Sequence, residues 1–101
     1  PVGAIAKLLA KLNWSAADVD LFEINEAFAM VTMIAMRELN LPDARVNIYG
    51  GACAQGHPIG STGSRLIVTL AHALKQSGAK RGIASLCIGG GEATAIALEC
   101  A

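Results

Sequence analysis

The chain is short of charge. Of its 101 residues, 16% are Asp, Glu, Lys or Arg, where about 25% is usual in soluble domains. The eight basic and eight acidic residues cancel and form no runs, so the sequence gives no electrostatic case for nucleic acid or an anionic membrane surface. It also lacks the run of about 20 apolar residues that would span a bilayer. We therefore expect neither nucleic acid nor a membrane among its partners.

The cysteines are scattered along the chain. The three cysteines, Cys53, Cys87 and Cys100, are odd in number, which argues against a disulfide framework and indicates a reducing compartment, here taken as the cytoplasm. No CxxC or HxxxH pair exists, so we expect no metal site. The glycine-rich stretch is not followed by the Gly-Lys-Ser/Thr of a phosphate-binding loop, and no cofactor is predicted.

Apolar residues and glycine are abundant instead, with 53% hydrophobic residues and 11 glycines. A small domain exposes more surface per residue than a large one and should be more polar than average. The composition therefore predicts one domain, residues 1–101, covered by the rest of a longer polypeptide or by a partner subunit. Without that cover, we expect the chain to associate with itself.

Hydrophobic spacing predicts alternating helices and strands, which favours an α/β fold with helices packed on a sheet. Ser15 and Asp18 mark a single helical turn. The helix predicted to open at Asn25 is apolar on nearly every side, which is typical of a buried helix. The predicted helices cover residues 2–12, 25–40 and 61–76, and the predicted strands 19–24, 46–49, 83–88 and 93–98, the last two joined as a hairpin through Gly89-Gly90-Gly91.

Residues 50–63 form a glycine-rich loop that holds one imidazole, His57, followed by Pro58. Glycine allows backbone conformations that a Cβ forbids and close approach of a ligand or another segment. A neutral imidazole before a helix start can accept a proton or donate a hydrogen bond to a developing oxyanion. A plain loop or capping histidine is the alternative. His72 lies within a predicted helix and is interpreted as structural.

Cys87 and Asn25 are the other candidates. Cys87 ends a predicted strand at a triple glycine, whose backbone amides can stabilise an anion beside a thiol that acts as base or nucleophile. A buried cysteine can equally be an inert small hydrophobe. Asn25 either caps the predicted helix or holds a water or a substrate carbonyl, and Glu26 either orients that network or favours the helix dipole.

Three motifs occur in one order: Asn25-Glu26-Ala27-Phe28, then Gly50-Gly51 with Gly56-His57-Pro58-Ile59-Gly60, then Cys87-Ile88-Gly89-Gly90-Gly91. Together they closely resemble the C-terminal portion of thiolases, the acetyl-CoA acetyltransferases. The resemblance implies a thiolase-like layered α/β/α C-terminal half, with a mixed sheet packed by helices and ending in a β-hairpin.

The resemblance also implies roles. His57 matches the histidine that activates a nucleophilic cysteine and later helps to stabilise an enolate oxygen. Cys87 matches the base that takes the α-proton of acetyl-CoA, and Asn25 the residue that holds a water in the enolate oxyanion site. Gly89 matches a backbone N–H donor of the second oxyanion hole, and Phe28 would line the acyl pocket.

The family's acylated cysteine has no counterpart among the three cysteines, so the chain alone is predicted to be inactive. The resemblance implies acyl-CoA and CoA as substrates, the remainder of the thiolase chain as partner, and a homodimer or homotetramer. Two other functions stay open: an acyl-CoA binding or assembly module with a non-catalytic site, and a cysteine hydrolase that uses Cys87 and His57.

Overall fold

The computed structural model of the protein describes residues 1–57, 59–89 and 92–100. The helices are α1 (Val2–Leu12), α2 (Ala29–Glu38), α3 (Ala52–Gln55) and α4 (Thr62–Ser77), and the strands are β1 (Leu21–Ile24), β2 (Arg81–Gly89) and β3 (Glu92–Glu99). Short 3-10 turns cover Ala16–Asp18 and Asp43–Arg45.

The strands form a mixed sheet in the order β1-β2-β3. β1 runs parallel to β2, with Ile24 opposite Ser85. β2 and β3 are antiparallel, and their register shifts between Cys87 and Gly89. The predicted α/β fold with a mixed sheet is confirmed, whereas the predicted turn through Gly90 and Gly91 lies outside the described residues.

Alternation along β1 divides the core into two layers, one on each face of the sheet. Phe22 and Ile24 pack on one face with Ile5 and Leu9 of α1 and Ala35 of α2. The other face carries α4, through the side chains Leu21, Leu66, Leu70, Ala73, Leu74 and Ala84. An extended strand presents successive side chains to opposite faces, so β1 contributes side chains to both layers.

Helices α1 and α4 fall where the apolar spacing predicts them. Asn13 ends α1 in the left-handed conformation, with φ 57°. Gly78 ends α4 in the same way, with φ 69°, a conformation that costs glycine no Cβ clash. The turn predicted after Ser15 is present with its capping box, in which the Asp18 carboxylate accepts the Ser15 N–H at 2.8 Å.

The helix predicted to open at Asn25 begins four residues later, at Ala29, with Phe28 as its N-terminal cap residue. The prediction was wrong because the backbone at Asn25 still belongs to the sheet: its N–H donates to the Ser85 carbonyl at 2.9 Å. The predicted burial of this helix was also wrong for the chain by itself. Only Thr32 and Ala35 of α2 are buried, and Met30 and Met33 are each 67% exposed.

The strand predicted at residues 46–49 is reduced to a single bridge between Val46 and Phe22. The chain turns immediately afterwards because Asn47 adopts a left-handed conformation, with φ 48°. A hydrogen bond from the Gly50 N–H to the Asn47 carbonyl, at 2.9 Å, closes that turn. The glycine loop therefore starts at the edge of β1, and its first part forms α3, which the sequence pattern does not predict.

Candidate active site

Asn25 lies directly after β1, at the edge of the sheet where the parallel strands β1 and β2 end. Its side chain is buried, with the residue 1% exposed. Neither Oδ1 nor Nδ2 has a hydrogen-bond partner among the residues that the structure describes. Buried amides are normally hydrogen-bonded, so Asn25 offers a donor and an acceptor to a group outside the described residues.

Cys87 lies on β2, two residues beyond Ser85, whose carbonyl accepts the Asn25 N–H. Because Ile24 lies opposite Ser85 in the parallel register, Asn25 and Cys87 both lie at the edge of the sheet where the two strands end. The Cys87 thiol is free and partly exposed. Ligands of open α/β sheets bind beyond the carboxyl ends of parallel strands, which is where both residues lie.

Glu26 connects this edge to the glycine loop. Its Oε1 accepts the Cys53 N–H at 3.1 Å, and its Oε2 accepts Asn47 Nδ2 at 3.2 Å. Cys53 lies in the first turn of α3, so the carboxylate satisfies one of the free N–H groups at that helix start. Glu26 thus stabilises a helix start through the helix dipole, which is one of the two roles considered from sequence. The helix that it stabilises is α3, however, and not α2, which follows it in the chain.

Gly51 is glycine because the Glu26 carboxylate occupies the space of a side chain. A Cβ at residue 51 would lie 2.4 Å from Glu26 Oε1 and 2.5 Å from Cδ. Contacts under about 3 Å do not occur between real Cβ atoms and their neighbours. Gly51 of the loop and Glu26 after β1 therefore pack directly against each other.

Asn47 is a residue that the sequence pattern misses. Its Oδ1 accepts the Ile24 N–H and its Nδ2 donates to the Ile24 carbonyl, each at 2.9 Å. The side-chain amide thereby replaces the strand that would pair with the end of β1. Asparagine tolerates the left-handed conformation better than most residues, which is the only sequence signal that could have indicated it.

His57 follows α3 and is exposed on the surface of the chain. Its Nδ1 lies 2.7 Å from the Thr62 hydroxyl oxygen, and Thr62 is fully buried at the start of α4. This contact fixes one ring nitrogen, so that Nε2 is directed away from Thr62. Pro58, which follows His57 in the sequence, lies outside the described residues.

The other predicted site residues are less closely tied to this edge. Gly89 ends β2, opposite Glu92. Phe28 is 75% exposed, so no acyl pocket closes over it within the described chain. An apolar groove of about 260 Å³ lies elsewhere, between α4 and the outer strand β3. Cys53 is exposed, and desolvation and the nearby Glu26 carboxylate raise the pKa of its thiol, the opposite of what a reactive thiol requires.

Glu23 and Arg65 form a second feature that the sequence analysis did not identify. Arg65 Nη1 of α4 lies 3.6 Å from Glu23 Oε1 of β1, and the Glu23 side chain is only 2% exposed. Burial raises the pKa of Glu23 to about 7, against the opposing Arg65 charge and with a smaller contribution from Glu26. A glutamate inside an otherwise apolar strand is the signal that could have indicated it.

The residues described include no group of three metal-ligating side chains placed to hold an ion. None of the helices in the described part of the chain could span a membrane.

In the structure, Asn25 and Cys87 lie at one sheet edge, and Glu26 links that edge to the loop that holds His57.

Comparisons with known proteins show which family the chain resembles. Residues 1–100 match the family model of the thiolase C-terminal domain. The chain is 52% identical over 99 residues to the cytosolic acetyl-CoA acetyltransferase of Mus musculus and 50% identical over 101 residues to the beta-ketoadipyl-CoA thiolase of Pseudomonas knackmussii. In each case 98% of this chain is covered, but only 25% of the relative.

A crystal structure of the Bacillus anthracis acetyl-CoA acetyltransferase superimposes with a TM-score of 0.95 at 49% identity. The match covers 98% of this chain and 25% of the Bacillus chain. The chain thus spans about a quarter of the length of the relatives that it matches.

Proposed function

The chain belongs to the thiolase family, as its C-terminal domain, and on that premise we propose that it supplies the base and oxyanion-stabilising residues of an acetyl-CoA C-acetyltransferase. The reaction joins two acetyl-CoA molecules to give acetoacetyl-CoA and CoA, and the reverse is thiolysis. The observation that carries this proposal is the buried amide of Asn25, which has no hydrogen-bond partner among the described residues and lies at the sheet edge that also holds Cys87.

Cys87 is the proposed base. Its thiolate removes a proton from the α-carbon of acetyl-CoA, and the electron pair of that C–H bond forms the new bond to an acyl carbon held as a thioester elsewhere in the complete enzyme. The acyl thioester bond then breaks, and its sulfur leaves with the electron pair. A general base within reach of the proton and donors aimed at the enolate oxygen lower the barrier of such a step.

Asn25 and His57 are the proposed donors to the enolate oxygen. Asn25 Nδ2 acts through a bound water, and His57 acts through Nε2 because Thr62 contacts Nδ1. Gly89 contributes a backbone N–H to the second oxyanion hole, and Phe28 lines the acyl pocket. Donors fixed before the reaction are effective because they need not reorganise as charge develops.

We also propose that the substrates are CoA thioesters, with no bound cofactor, and that the complete enzyme is a homodimer or homotetramer of the cytoplasm. The cytoplasmic placement draws support from the name of the Mus musculus relative. The chain spans a quarter of its relatives, and without an acylated cysteine it is expected to show no turnover by itself.

The test is a full-length chimera in which this chain replaces the matching quarter of the Bacillus anthracis enzyme. We expect thiolysis of acetoacetyl-CoA that depends on free CoA. Cys87→Ser, His57→Ala and Asn25→Ala should each lower kcat by about 10²–10⁴-fold, whereas Cys100→Ser, the matched control, should leave it unchanged.

Each alternative function predicts a different result. A chimera that binds CoA without turnover would favour an acyl-CoA binding module. Thioester hydrolysis that needs no free CoA, and that iodoacetamide abolishes, would favour a cysteine hydrolase.

A further inference from the structure

Unpartnered polar atoms are concentrated at one place in the part of the chain that the structure describes. The five buried side-chain atoms without a hydrogen-bond partner belong to three residues: Asn25, Glu23 and Arg65. Buried polar atoms are expensive to leave unpaired. Asn25 is explained by the proposed function, but Glu23 and Arg65 have no part in it so far.

Glu23 and Arg65 join two elements of the site. Successive side chains of an extended strand point to opposite faces. The Asn25 N–H still pairs with β2, so the alternation extends to Asn25, and Glu23 and Asn25 share a face of the sheet. Arg65 lies three residues after Thr62, in the first turn of α4, and its N–H donates to the Ser61 carbonyl at 2.9 Å. Thr62 in turn contacts the His57 ring.

We propose that Glu23 and Arg65 are a positioning pair that sets the separation between Asn25 and His57. The pair draws the strand that ends in Asn25 toward the start of α4, which holds His57 through Thr62. This inference rests on the proposed function, because it assigns the pair to the geometry of the same oxyanion site.

The ion pair is tight only when Glu23 is ionised. The charged groups that face it are Arg65 from α4 and Glu26 from the turn after β1, and burial raises the pKa of Glu23 to about 7. At 3.6 Å the contact is ionic and not a hydrogen bond, so protonation of Glu23 removes the attraction and leaves no hydrogen bond between the two side chains. The separation between Asn25 and His57 should therefore be fixed by the ion pair above neutral pH and become more variable below it.

The test uses the full-length chimera with Glu23→Gln. The matched control is Glu99→Gln, which removes an exposed ion pair. Glu99 of β3 lies opposite Arg81 of β2, with an N–O distance of 3.0 Å between the two side chains. At pH 8 we expect Glu23→Gln to lower kcat about tenfold with KM nearly unchanged, since displacements near 1 Å can cost about 100-fold. Near pH 5.5 the variant and the unmodified chimera should converge, and Glu99→Gln should follow the unmodified chimera throughout.

Arg65→Met removes the other partner and should give the same loss, and the double variant should be no worse than either single one. An unchanged kcat, or a loss of equal size at every pH, would overturn the positioning role. If the unmodified chimera is inactive, the proposed function fails, and crystal structures then decide the inference alone. It stands if Glu23→Gln changes the Asn25–His57 separation by more than about 0.5 Å and fails if it does not.

Discussion

Asn47→Asp provides a sharp test of the link between β1 and the glycine loop. The substitution keeps the size of the side chain and its tolerance for the left-handed conformation. It also keeps the oxygen that accepts the Ile24 N–H at 2.9 Å. It removes the two hydrogen bonds that Nδ2 donates, to the Ile24 carbonyl at 2.9 Å and to Glu26 Oε2 at 3.2 Å.

The magnitude follows from those contacts. Each lost hydrogen bond is worth about 1 kcal/mol net. The new carboxylate also stands at contact distance from Glu26, and two like charges about 4 Å apart repel by roughly 1–4 kcal/mol between the dielectric of water and that of a protein surface. We expect Asn47→Asp to lower the free energy of unfolding by about 3–6 kcal/mol at pH 7. Asn47→Ala adds no charge but loses all three side-chain hydrogen bonds, so it should lower the free energy of unfolding by about 3 kcal/mol.

Urea unfolding of the chain, followed by fluorescence of its single tryptophan, Trp14, measures these differences. In a Glu26→Gln background the repulsion disappears, so Asn47→Asp should become less damaging than Asn47→Ala. Lowering the pH should also relieve the aspartate variant by protonating one of the two carboxyl groups. An Asn47→Asp variant within about 0.5 kcal/mol of the original chain would refute the proposed pairing of this side chain with the end of β1.

Four further outcomes are expected. Burial raises the pKa of Glu23 from 4.5 to about 7, so the stability that the protonated group contributes below pH 4.5 is lost as the pH rises to 7. Between pH 4.5 and 8, urea titrations should show the free energy of unfolding of the original chain falling by about 3 kcal/mol relative to that of Glu23→Gln. Gly51→Ala should cost about 1–3 kcal/mol in the same assay, since its Cβ would lie 2.4 Å from Glu26 Oε1 and would displace a carboxylate that two hydrogen bonds hold in place. Gly63→Ala, with nothing within 4 Å of the added Cβ, should instead stabilise α4 by about 0.5–1 kcal/mol. Light scattering at several concentrations should show that the chain self-associates, and Met33→Lys, at a position 67% exposed, should reduce the apparent mass; a monomer before substitution would contradict the excess of apolar surface.

Hydrophobic periodicity correctly predicted the helices whose apolar faces are covered by other parts of this chain. Helix α4 packs Leu66, Leu70 and Leu74 on the sheet, so its spacing carries the full signal for its position. Helix α2 differs because its apolar residues point in all directions and this chain covers only some of them. Its start was misplaced for another reason: a tertiary hydrogen bond to Ser85 keeps Asn25 in the sheet, and no local preference of Asn reports a partner 60 residues away.

The candidate site was predicted as three motifs, but the contact that joins two of them was not. A carboxylate after a strand can stabilise whichever helix start lies nearest in space, and sequence order suggests the wrong one. The structure gives Glu26 to α3, where it meets the Cys53 N–H and fills the space above Gly51. Glutamate at one motif and glycine at the next are thus two sides of a single contact, so a change at either residue should displace both the strand edge with Asn25 and the loop with His57.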